Sequence, residues 1–575
     1  MIRNNERRTF MHPYFIVTFA AVIFLLGVVW VIVRENRRQK ERHLREFGEQ
    51  YGRIFDHMYS HEELQRISAS SRKMDGKKEG YLDDITWNDL EMDVIFGRIN
   101  QTLTTAGEEY LYRLLRLPKM SSKELEHLGE LTNFFQSHKK EREKMQLALV
   151  LVGKDNRCSL GDAVSSLENA PVIGWISHGL LAGALLAALL LLPVFPVAAV
   201  FFVFALVGLN AFLYQTGSDR KQTEPYRSLF ASLRRILDMG RELERLDWSS
   251  LENCRRIVEI RKRLTGFEKK AFWFIGRQAE GGGFLDLIMD YLKMLFHIDL
   301  LVYPSLRRES LRCQAEFQEL LDQIGELDAA ISIASFRKGL PWYGEPEFSA
   351  DSQVLKVTDL YHPLVMQPVA NTITAGKAVL LTGSNASGKS TFLKAVAVNA
   401  VLAQTIFTCT ARSYHAACCR ILTSIALRDS IRDGESYFMA EIRSLKRILD
   451  ACQGPVPVLC VIDEVLRGTN TVERIAASSR ILGVLAKVGN HCFAATHDLE
   501  LTVILGDIYE NYHFEETVED SDVHFHYQLK QGPCSTRNAL TLLELTGYDE
   551  NTVRSAKEAA KEFQNTGIWK KMKGV

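Results

Sequence analysis

The nine residues Gly383–Thr391, with the sequence GSNASGKST, decide the fold class of this 575-residue chain. They follow the short apolar run Ala378–Thr382, which suits a buried strand, and they lead into Thr391–Ala403, which has the periodicity of a helix. A strand, a glycine-rich loop and a helix N-terminus together direct backbone N–H groups at phosphate. The sequence therefore predicts a phosphate-binding loop in an α/β domain.

The loop itself supplies most of the predicted ligand contacts. Lys389 would reach the β- and γ-phosphates of a nucleotide, and the Ser390 hydroxyl would bind Mg²⁺. We therefore expect ATP and Mg²⁺ as ligands. The predicted nucleotide-binding residues of the loop are Gly383, Ser384, Asn385, Ala386, Ser387, Gly388, Lys389, Ser390 and Thr391.

Two later apolar runs predict the other side of the same site. Val458–Glu464 is an apolar run that ends in two carboxylates, Asp463 and Glu464. Asp463 suits Mg²⁺, and Glu464 can polarise an attacking water. Cys492–Thr496 predicts a third strand, which would bring His497 to the same sheet edge. The predicted catalytic residues are Lys389, Glu464 and His497, and the predicted metal ligands are Ser390 and Asp463.

The order and spacing of four segments resemble the MutS mismatch-repair family. Thr382–Thr391 is similar to its phosphate loop T-G-P-N-M-G-G-K-S-T, with Ser384 in place of proline. Asp463–Thr471 is similar to D-E-I-G-R-G-T-S-T, and Ala495–Thr502 to A-T-H-Y-F-E-L-T. Gly434–Glu441 is similar to G-R-S-T-F-M-V-E, with Glu-Ser-Tyr in place of Arg-Ser-Thr. The resemblance implies a P-loop ATPase domain of the ABC/MutS type.

The same resemblance implies a homodimer. In this family two subunits sandwich ATP, and the signature serine of one subunit contacts the γ-phosphate held by the other. Ser436 would take this role in trans. Pro368–Asn371 resembles the family's F-I-A-N, so Val369 would flank the adenine, and the family's stacking aromatic is missing from this segment.

Two long apolar stretches predict a membrane protein. Residues 14–33 form an almost uncharged run, and residues 171–214 form a second stretch interrupted by Pro193 and Pro196. About 20 helical residues cross the roughly 30 Å of bilayer hydrocarbon. Basic residues follow the first run and flank both ends of the second. We therefore expect three transmembrane helices in a bacterial-type plasma membrane, with the ATPase domain in the cytoplasm.

Much of the remaining chain resembles the mostly α-helical core of the same family. Asp93–Pro118 is similar to the start of that core and Gly325–Ala334 to its end. Phe47-Gly48-Glu49 fits the Phe-x-Glu wedge of mismatch-binding members but lies inside a predicted charged helix over 40–57, so we expect the mismatch-binding domain to be absent. The predicted domains are a membrane anchor (1–45), the first part of the core (46–170), a transmembrane hairpin (171–214), the second part of the core (215–345), the ATPase (346–535) and a C-terminal helix-turn-helix for dimer contact (536–575).

The overall composition leaves two functions open. The chain has 70 basic and 70 acidic side chains, so any DNA contact needs a local patch, for which the modestly basic segment 219–270 is the candidate. Its ten cysteines form no pair of Cys-x-x-Cys motifs, so no structural metal is expected. One function is a MutS-like ATPase that acts on DNA. The alternative is the ATPase motor of a membrane transport or membrane-remodelling complex, although the transporter signature L-S-G-G-Q is missing.

Overall fold

The computed structural model describes a helical region followed by an α/β domain. The described residues are 13–73, 80–155, 157–246, 248, 251–275, 284–349, 354–384, 387–425, 437–487, 489–519, 522–534, 540, 543–544 and 547–571.

The first half of the helical region leads up to the apolar hairpin. It contains α1 (Pro13–Gln50), α2 (His61–Arg72), α3 (Asp84–Asp89), α4 (Met92–Ile99), α5 (Thr105–Arg116), α6 (Ser122–Ser137), α7 (Lys139–Val152), α8 (Leu160–Ser165) and the 3₁₀ turn Leu167–Asn169.

The second half runs from the hairpin to the α/β domain. It contains α9 (Trp175–Leu191), α10 (Pro196–Thr216), α11 (Ser218–Arg245), α12 (Glu252–Arg263), α13 (Thr265–Ile275), α14 (Phe284–Phe296), α15 (Ile298–Arg312) and α16 (Gln314–Gly339).

The two segments that resemble the start and end of the MutS core lie in contact. Asp328 of α16 is buried, and its carboxylate accepts hydrogen bonds from the backbone N–H of Leu103 at 3.0 Å and of Thr104 at 2.8 Å. The Thr104 hydroxyl in turn caps α5 by accepting from Gly107 N–H. A Cβ atom at Gly107 would lie 2.2 Å from the Asp328 carboxylate, so only glycine permits this approach. The start of α5 is thereby fixed to the middle of α16.

The α/β domain is built on two sheets. Its strands are β1 (Pro346–Phe348), β2 (Leu355–Leu360), β3 (Asn371–Ala375), β4 (Ala378–Thr382), β5 (Ser413–Ala416), β6 (Arg420–Ser424), β7 (Val458–Asp463), β8 (His491–Ala495), β9 (Tyr509–His513), β10 (Glu516–Glu519), β11 (Asp522–Phe525) and β12 (Lys530–Gln531). Its described helices are α17 (Lys389–Ile406), α18 (Tyr437–Ala451), α19 (Thr471–Leu485), α20 (Glu500–Ile504) and α21 (Glu550–Thr566).

The larger sheet positions the functional site. Its strand order is β12-β9-β4-β8-β7-β6, and every neighbouring pair is parallel except β12 with β9. β4 and β8 are fully buried, and β7 is buried up to its last residue, Asp463, as uncharged apolar runs predict for central parallel strands. The carboxyl ends of β4, β7 and β8 therefore meet at one edge of the sheet.

A buried arginine joins the helical region to the α/β domain. Arg337, near the end of α16, donates hydrogen bonds to the Phe407 carbonyl at 2.6 Å and to the Thr408 hydroxyl at 2.8 Å. It also forms an ion pair with Glu345 at 2.9 Å. These contacts hold the end of α17 against the end of α16.

The membrane prediction is supported for one helix. Among the described residues, only α10 is long and apolar enough to cross a bilayer. α9 is equally apolar but has only 17 residues, because the turn before Pro196 takes the next positions. The run 14–33 lies within α1, which is 38 residues long and whose side chains in this run are only partly described. The three predicted spans are therefore not confirmed.

The predicted charged helix over 40–57 is wrong in its extent. α1 carries it only as far as Gln50, because Gly52 takes a left-handed conformation with φ of 82°. Gly52 N–H then donates to the Ser335 hydroxyl of α16 at 2.9 Å. The end of α1 is thus docked on the same helix that leads into the α/β domain. Of the predicted C-terminal helix-turn-helix, α21 is observed and most of the segment before it lies outside the described residues.

Candidate nucleotide site

The glycine-rich loop connects buried β4 to α17. Gly383 has φ of 145° and Gly388 has φ of 105°, conformations that side chains with a Cβ rarely adopt. The Ser387 hydroxyl is buried and has no hydrogen-bond partner within the described part of the chain. This orphaned donor suits a phosphate oxygen. Asn385 and Ala386 lie outside the described residues.

Lys389 is folded back onto its own loop. Its Nζ donates to the carbonyl oxygens of Gly383 at 2.8 Å and Ser384 at 2.7 Å. Burial lowers the pKa of Lys389, while the carboxylates of Asp463 and Glu464 act in the opposite direction. The ammonium therefore rests on neutral acceptors that a phosphate can replace.

The predicted metal ligands are in direct contact. The Ser390 hydroxyl donates to Asp463 Oδ2 at 2.5 Å. The second oxygen of Asp463, Oδ1, is buried without a hydrogen-bond partner among the described residues. A buried carboxylate oxygen without a donor, beside a hydroxyl, fits an oxygen-preferring cation such as Mg²⁺. Ser390 and Asp463 would hold it.

Glu464 lies beside these groups and is held by the side chains of His497 and Arg467. Its Oε1 lies 2.9 Å from His497 Nε2, and its Oε2 pairs with Arg467 Nε. Burial acts to raise the pKa of Glu464, but the hydrogen bonds from His497 and Arg467 outweigh it and place the pKa at about 2. Glu464 is therefore an ionised acceptor throughout the physiological pH range. The sequence placed His497 at this edge, but it did not indicate Arg467.

The loop after β7 has an unusual backbone. Glu464 and Leu466 have φ of 58° and 59°, in the left-handed region that residues other than glycine avoid. Leu466 stands where the MutS motif D-E-I-G-R-G-T has glycine. Glu441 of α18 compensates, because its buried carboxylate accepts from Leu466 N–H at 2.5 Å. Strain that the surroundings stabilise is typical of functional loops.

α18, which begins within the segment that resembles the MutS signature, therefore touches the loop after β7 of its own chain. Besides Glu441, Phe438 packs against Gly468, where an added Cβ atom would lie 3.1 Å from the ring. Ser436, the predicted trans-acting serine, precedes α18 directly and lies outside the described residues.

A cavity of about 350 Å³ opens beside the loop. Val369 lines it, as do His362 and Phe392. Burial lowers the pKa of His362 to about 4, so this ring is neutral. The cavity has the mixed aromatic and aliphatic lining that suits a nucleobase.

Tyr527 supplies an aromatic ring that sequence reasoning missed. It lines the same cavity, and its Cδ1 would lie 3.2 Å from a Cβ atom added to Gly388. Its position is fixed by Asn371, whose side-chain amide donates to the Tyr527 carbonyl at 3.0 Å and accepts from Leu529 N–H at 2.7 Å. In the sequence, Asn371 of the segment that resembles F-I-A-N was the one residue that pointed to this side of the cavity.

Glu516 is a second missed residue. It is buried beside the loop and accepts a hydrogen bond from the Ser384 hydroxyl at 2.7 Å. Ser384 replaces the proline of the MutS loop, which has no donor. The serine thus adds a hydrogen bond between the loop and β10.

The basic segment 219–270 is neutralised in part by acidic neighbours. Several of its basic side chains form ion pairs within the helical region: Arg234, Arg241, Arg245, Arg256, Arg261, Lys262 and Lys270. Paired charges attract phosphate less, so this face is a weaker candidate for DNA contact than the sequence indicated.

Comparison with known proteins supports the assignment of the α/β domain. Residues 379–564 match the family MutS domain V. The chain is 29% identical over 294 residues to the DNA mismatch repair protein MutS 2 of Haloarcula marismortui, covering 45% of this chain and 30% of that protein. It is 27% identical over 295 residues to the DNA mismatch repair protein MutS of Bacillus subtilis, covering 49% of this chain and 34% of that protein.

A third relative covers a similar share of this chain. The DNA mismatch repair protein MutS of Aquifex pyrophilus is 29% identical over 274 residues, covering 46% of this chain and 32% of that protein. The chain therefore spans about a third of the length of these curated relatives. The C-terminal α/β region of this chain therefore matches MutS domain V over residues 379–564.

Proposed function

We propose that this chain is a MutS-like ATPase that works as a homodimer, anchored in a bacterial-type plasma membrane with its ATPase domain in the cytoplasm. One observation carries the ATPase proposal. Lys389, the Ser390–Asp463 pair and the Glu464–His497 pair lie at one edge of a parallel sheet. This is where phosphates bind in α/β sheets of this kind.

The residues of the site would have separate roles at the phosphates. Lys389 would exchange the two loop carbonyls for β- and γ-phosphate oxygens, and Ser387 would donate to a third. Mg²⁺, held by Ser390 and Asp463, would neutralise charge that develops on the phosphates. The buried Asp463 Oδ1 and Ser387 hydroxyl would then both gain partners.

Glu464 would orient the attacking water. Its low pKa makes it a weak base, so it acts by accepting a hydrogen bond from water rather than by storing a proton. Both of its oxygens are already paired with His497 and Arg467. Each carboxylate oxygen has a second acceptor site, so a water can bind while both contacts stay in place.

The test uses the full chain in lipid nanodiscs. Lys389→Ala should lose ATP binding, while Glu464→Gln should keep binding and lose hydrolysis by about 100-fold or more. Matched controls are Lys377→Ala, whose exposed ammonium bonds the Asp507 carbonyl, and Glu126→Gln, on the exposed face of α6. Hydrolysis by Glu464→Gln at the rate of the unchanged protein would remove this carboxylate from the mechanism.

The dimer proposal rests on the resemblance of Gly434–Glu441 to the MutS signature and on the matched domain. Mixed dimers of Ser436→Ala and Lys389→Ala chains should recover one working site, because the Ser436→Ala chain keeps its lysine and receives serine from its partner. The readout is ATPase activity of mixed dimers, whose formation is checked by two different affinity tags. Mixed dimers without activity would contradict action in trans.

A role on DNA enters from the relatives, which are DNA mismatch repair proteins. We propose that any DNA binding runs through phosphate contacts without mismatch preference. Phe47, the wedge candidate named above, is buried (6% exposed) and so is not available to insert between bases. Affinity for matched and mismatched duplexes should therefore agree and should fall steeply with salt. A tenfold mismatch preference would contradict this proposal.

The alternative, a motor for transport or membrane remodelling, has one observation in its favour. The apolar hairpin of α9 and α10 is bonded into the helical region, since the Asn210 amide donates to the Leu295 carbonyl at 2.8 Å. Movement of the helical region would therefore reach the hairpin. ATPase activity that responds to lipid composition and not to DNA would favour this function.

A further inference from the structure

α14 is an apolar helix that sequence reasoning did not single out. It packs against both α9 and α10. Three of its described apolar side chains are nevertheless exposed: Leu287 (54%), Ile288 (38%) and Tyr291 (54%). Because these positions are spaced one and three residues apart, they share one face of the helix.

The neighbouring hairpin exposes the same kind of surface. Its exposed apolar side chains include Leu180, Leu186, Leu190, Phe201, Phe204 and Phe212. Many large exposed apolar side chains on one helical hairpin mark an interface. Since α14 touches both hairpin helices, its exposed face extends that surface.

The contacts also fix the depth of α14 along the hairpin. Leu295 is the second-last residue of α14, and its carbonyl oxygen accepts a hydrogen bond from the Asn210 side-chain amide. Asn210 lies six residues before the end of α10 at Thr216, which is about 9 Å along the helix axis. The end of α14 is therefore level with the apolar part of α10 rather than with the solvated part of the chain.

Several polar groups next to α14 are bonded to each other, although Asn210 Oδ1 is buried without a partner among the described residues. His297, which follows α14, lies 2.8 Å from His178 of α9, between their Nδ1 atoms, and 3.1 Å from the Asn210 carbonyl oxygen. His178 Nε2 lies 3.1 Å from Asp219, and the Tyr214 hydroxyl donates to Asp299 at 2.7 Å. Such internal pairing is expected of polar groups near hydrocarbon, where water does not satisfy them.

We propose that α14 is an interfacial membrane helix, with Leu287, Ile288 and Tyr291 against lipid beside the hairpin. The inference rests on the proposed membrane location of α9 and α10. α14 has 13 residues and is about 20 Å long, too short to cross the hydrocarbon layer. It lies in the boundary layer, as amphipathic helices do, with Asp290 exposed at its side and Lys293 turned inward to the Ile275 carbonyl.

The test measures which quencher reaches a fluorescent label at single positions. The two partly exposed thiols, Cys158 and Cys418, are first replaced by serine. An environment-sensitive dye is then attached to Leu287→Cys, Tyr291→Cys, Phe204→Cys or Val472→Cys in separate proteins. Val472, exposed on α19 of the ATPase domain, is the aqueous control, and Phe204 is the hairpin control. All four are reconstituted in phosphatidylcholine vesicles carrying nitroxide lipids, and iodide serves as the aqueous quencher.

The expected result is loss of fluorescence to shallow nitroxide lipids at 287 and 291, to deep nitroxide lipids at 204, and to iodide alone at 472. Quenching by lipid at 204 with quenching by iodide alone at 287 and 291 would overturn the role of α14 and leave the hairpin in the membrane. Quenching by neither agent at 287 and 291 would also overturn it, because a protein surface would then cover the face.

Quenching by iodide alone at 204 would instead contradict the proposed membrane location itself. Ile288→Cys replaces Leu287→Cys if that variant loses ATP binding, which serves as the check of folding. The failure of the inference and the failure of the proposed function are thus distinguished by the result at 204.

Discussion

At the nucleotide site, charged side chains pair with groups that a ligand can replace, whereas at the base of the hairpin polar side chains pair with partners that remain. Lys389 rests on loop carbonyls, and one oxygen of Asp463 has no described partner. His178 and His297 instead join α9 to the start of α15. The difference indicates that the first region is built for exchange of partners and the second for fixed attachment.

If this comparison is right, changes at the nucleotide site alter activity with little loss of stability, because no fixed contact is lost. Changes at the hairpin base should do the opposite.

The largest effect is expected from Asp463→Asn. Loss of the anion that holds Mg²⁺ should lower ATP hydrolysis by about 100-fold or more while the midpoint of thermal unfolding stays the same or rises. Hydrolysis and unfolding are measured on the same preparation. Asp450→Asn, an exposed partner of Lys446, is the matched control and should change neither. A large fall in the unfolding midpoint of Asp463→Asn would break the comparison.

Glu441→Ala should come next. It removes the acceptor of Leu466 N–H, so the left-handed loop would no longer hold Glu464 in place. We expect kcat to fall about tenfold, equivalent to about 1.4 kcal/mol, with KM for ATP unchanged. Glu441→Gln keeps an acceptor oxygen and should recover most of the rate. A rise in KM with unchanged kcat would show that Glu441 acts on ATP binding rather than on the loop.

A smaller effect is expected in the pH dependence. His497 and Arg467 hold the pKa of Glu464 at about 2, so its carboxylate is ionised at any pH above that value. In His497→Gln the pKa should rise toward its ordinary value, and the acid limb of kcat should move to higher pH. Arg467→Ala should move it in the same direction. An acid limb unchanged in both variants would mean that Glu464 does not determine it.

The smallest effect belongs to the hairpin base. His297→Ala removes hydrogen bonds to His178 and to the Asn210 carbonyl, which should cost about 1–3 kcal/mol of unfolding free energy. ATP hydrolysis per folded molecule should stay within about twofold, because the change leaves every residue of the nucleotide site in place. Unfolding is followed by denaturant titration in nanodiscs. A variant that is equally stable but loses hydrolysis would show that the hairpin base regulates the ATPase.

Much of the α/β domain could be predicted because its signals are local. β4 coincides with its predicted strand, β7 ends one residue before its predicted end at Glu464, and α17 extends the predicted helix at both ends. These elements could be predicted because apolar runs and glycine positions are read from neighbouring residues. The apolar stretch 171–214 likewise indicated a hairpin, whose turn precedes Pro196 as a proline at the first position of a helix requires. The predicted helix over 40–57 is too long because the charged pattern continues past Gly52, whose left-handed backbone ends the helix.

By itself, then, the sequence determined the phosphate loop, the carboxylate pair after β7 and the class of the domain, because chemistry and spacing within about ten residues specify them. Only the tertiary structure decided which groups meet across long separations. Tyr527 is held at the cavity by a hydrogen bond from Asn371, which lies 156 residues earlier. The carboxylate of Asp328 accepts a hydrogen bond from Thr104 N–H, 224 residues before it. Such pairs depend on how helices and sheets pack, and periodicity in one segment carries no information about the partner that packing brings to it.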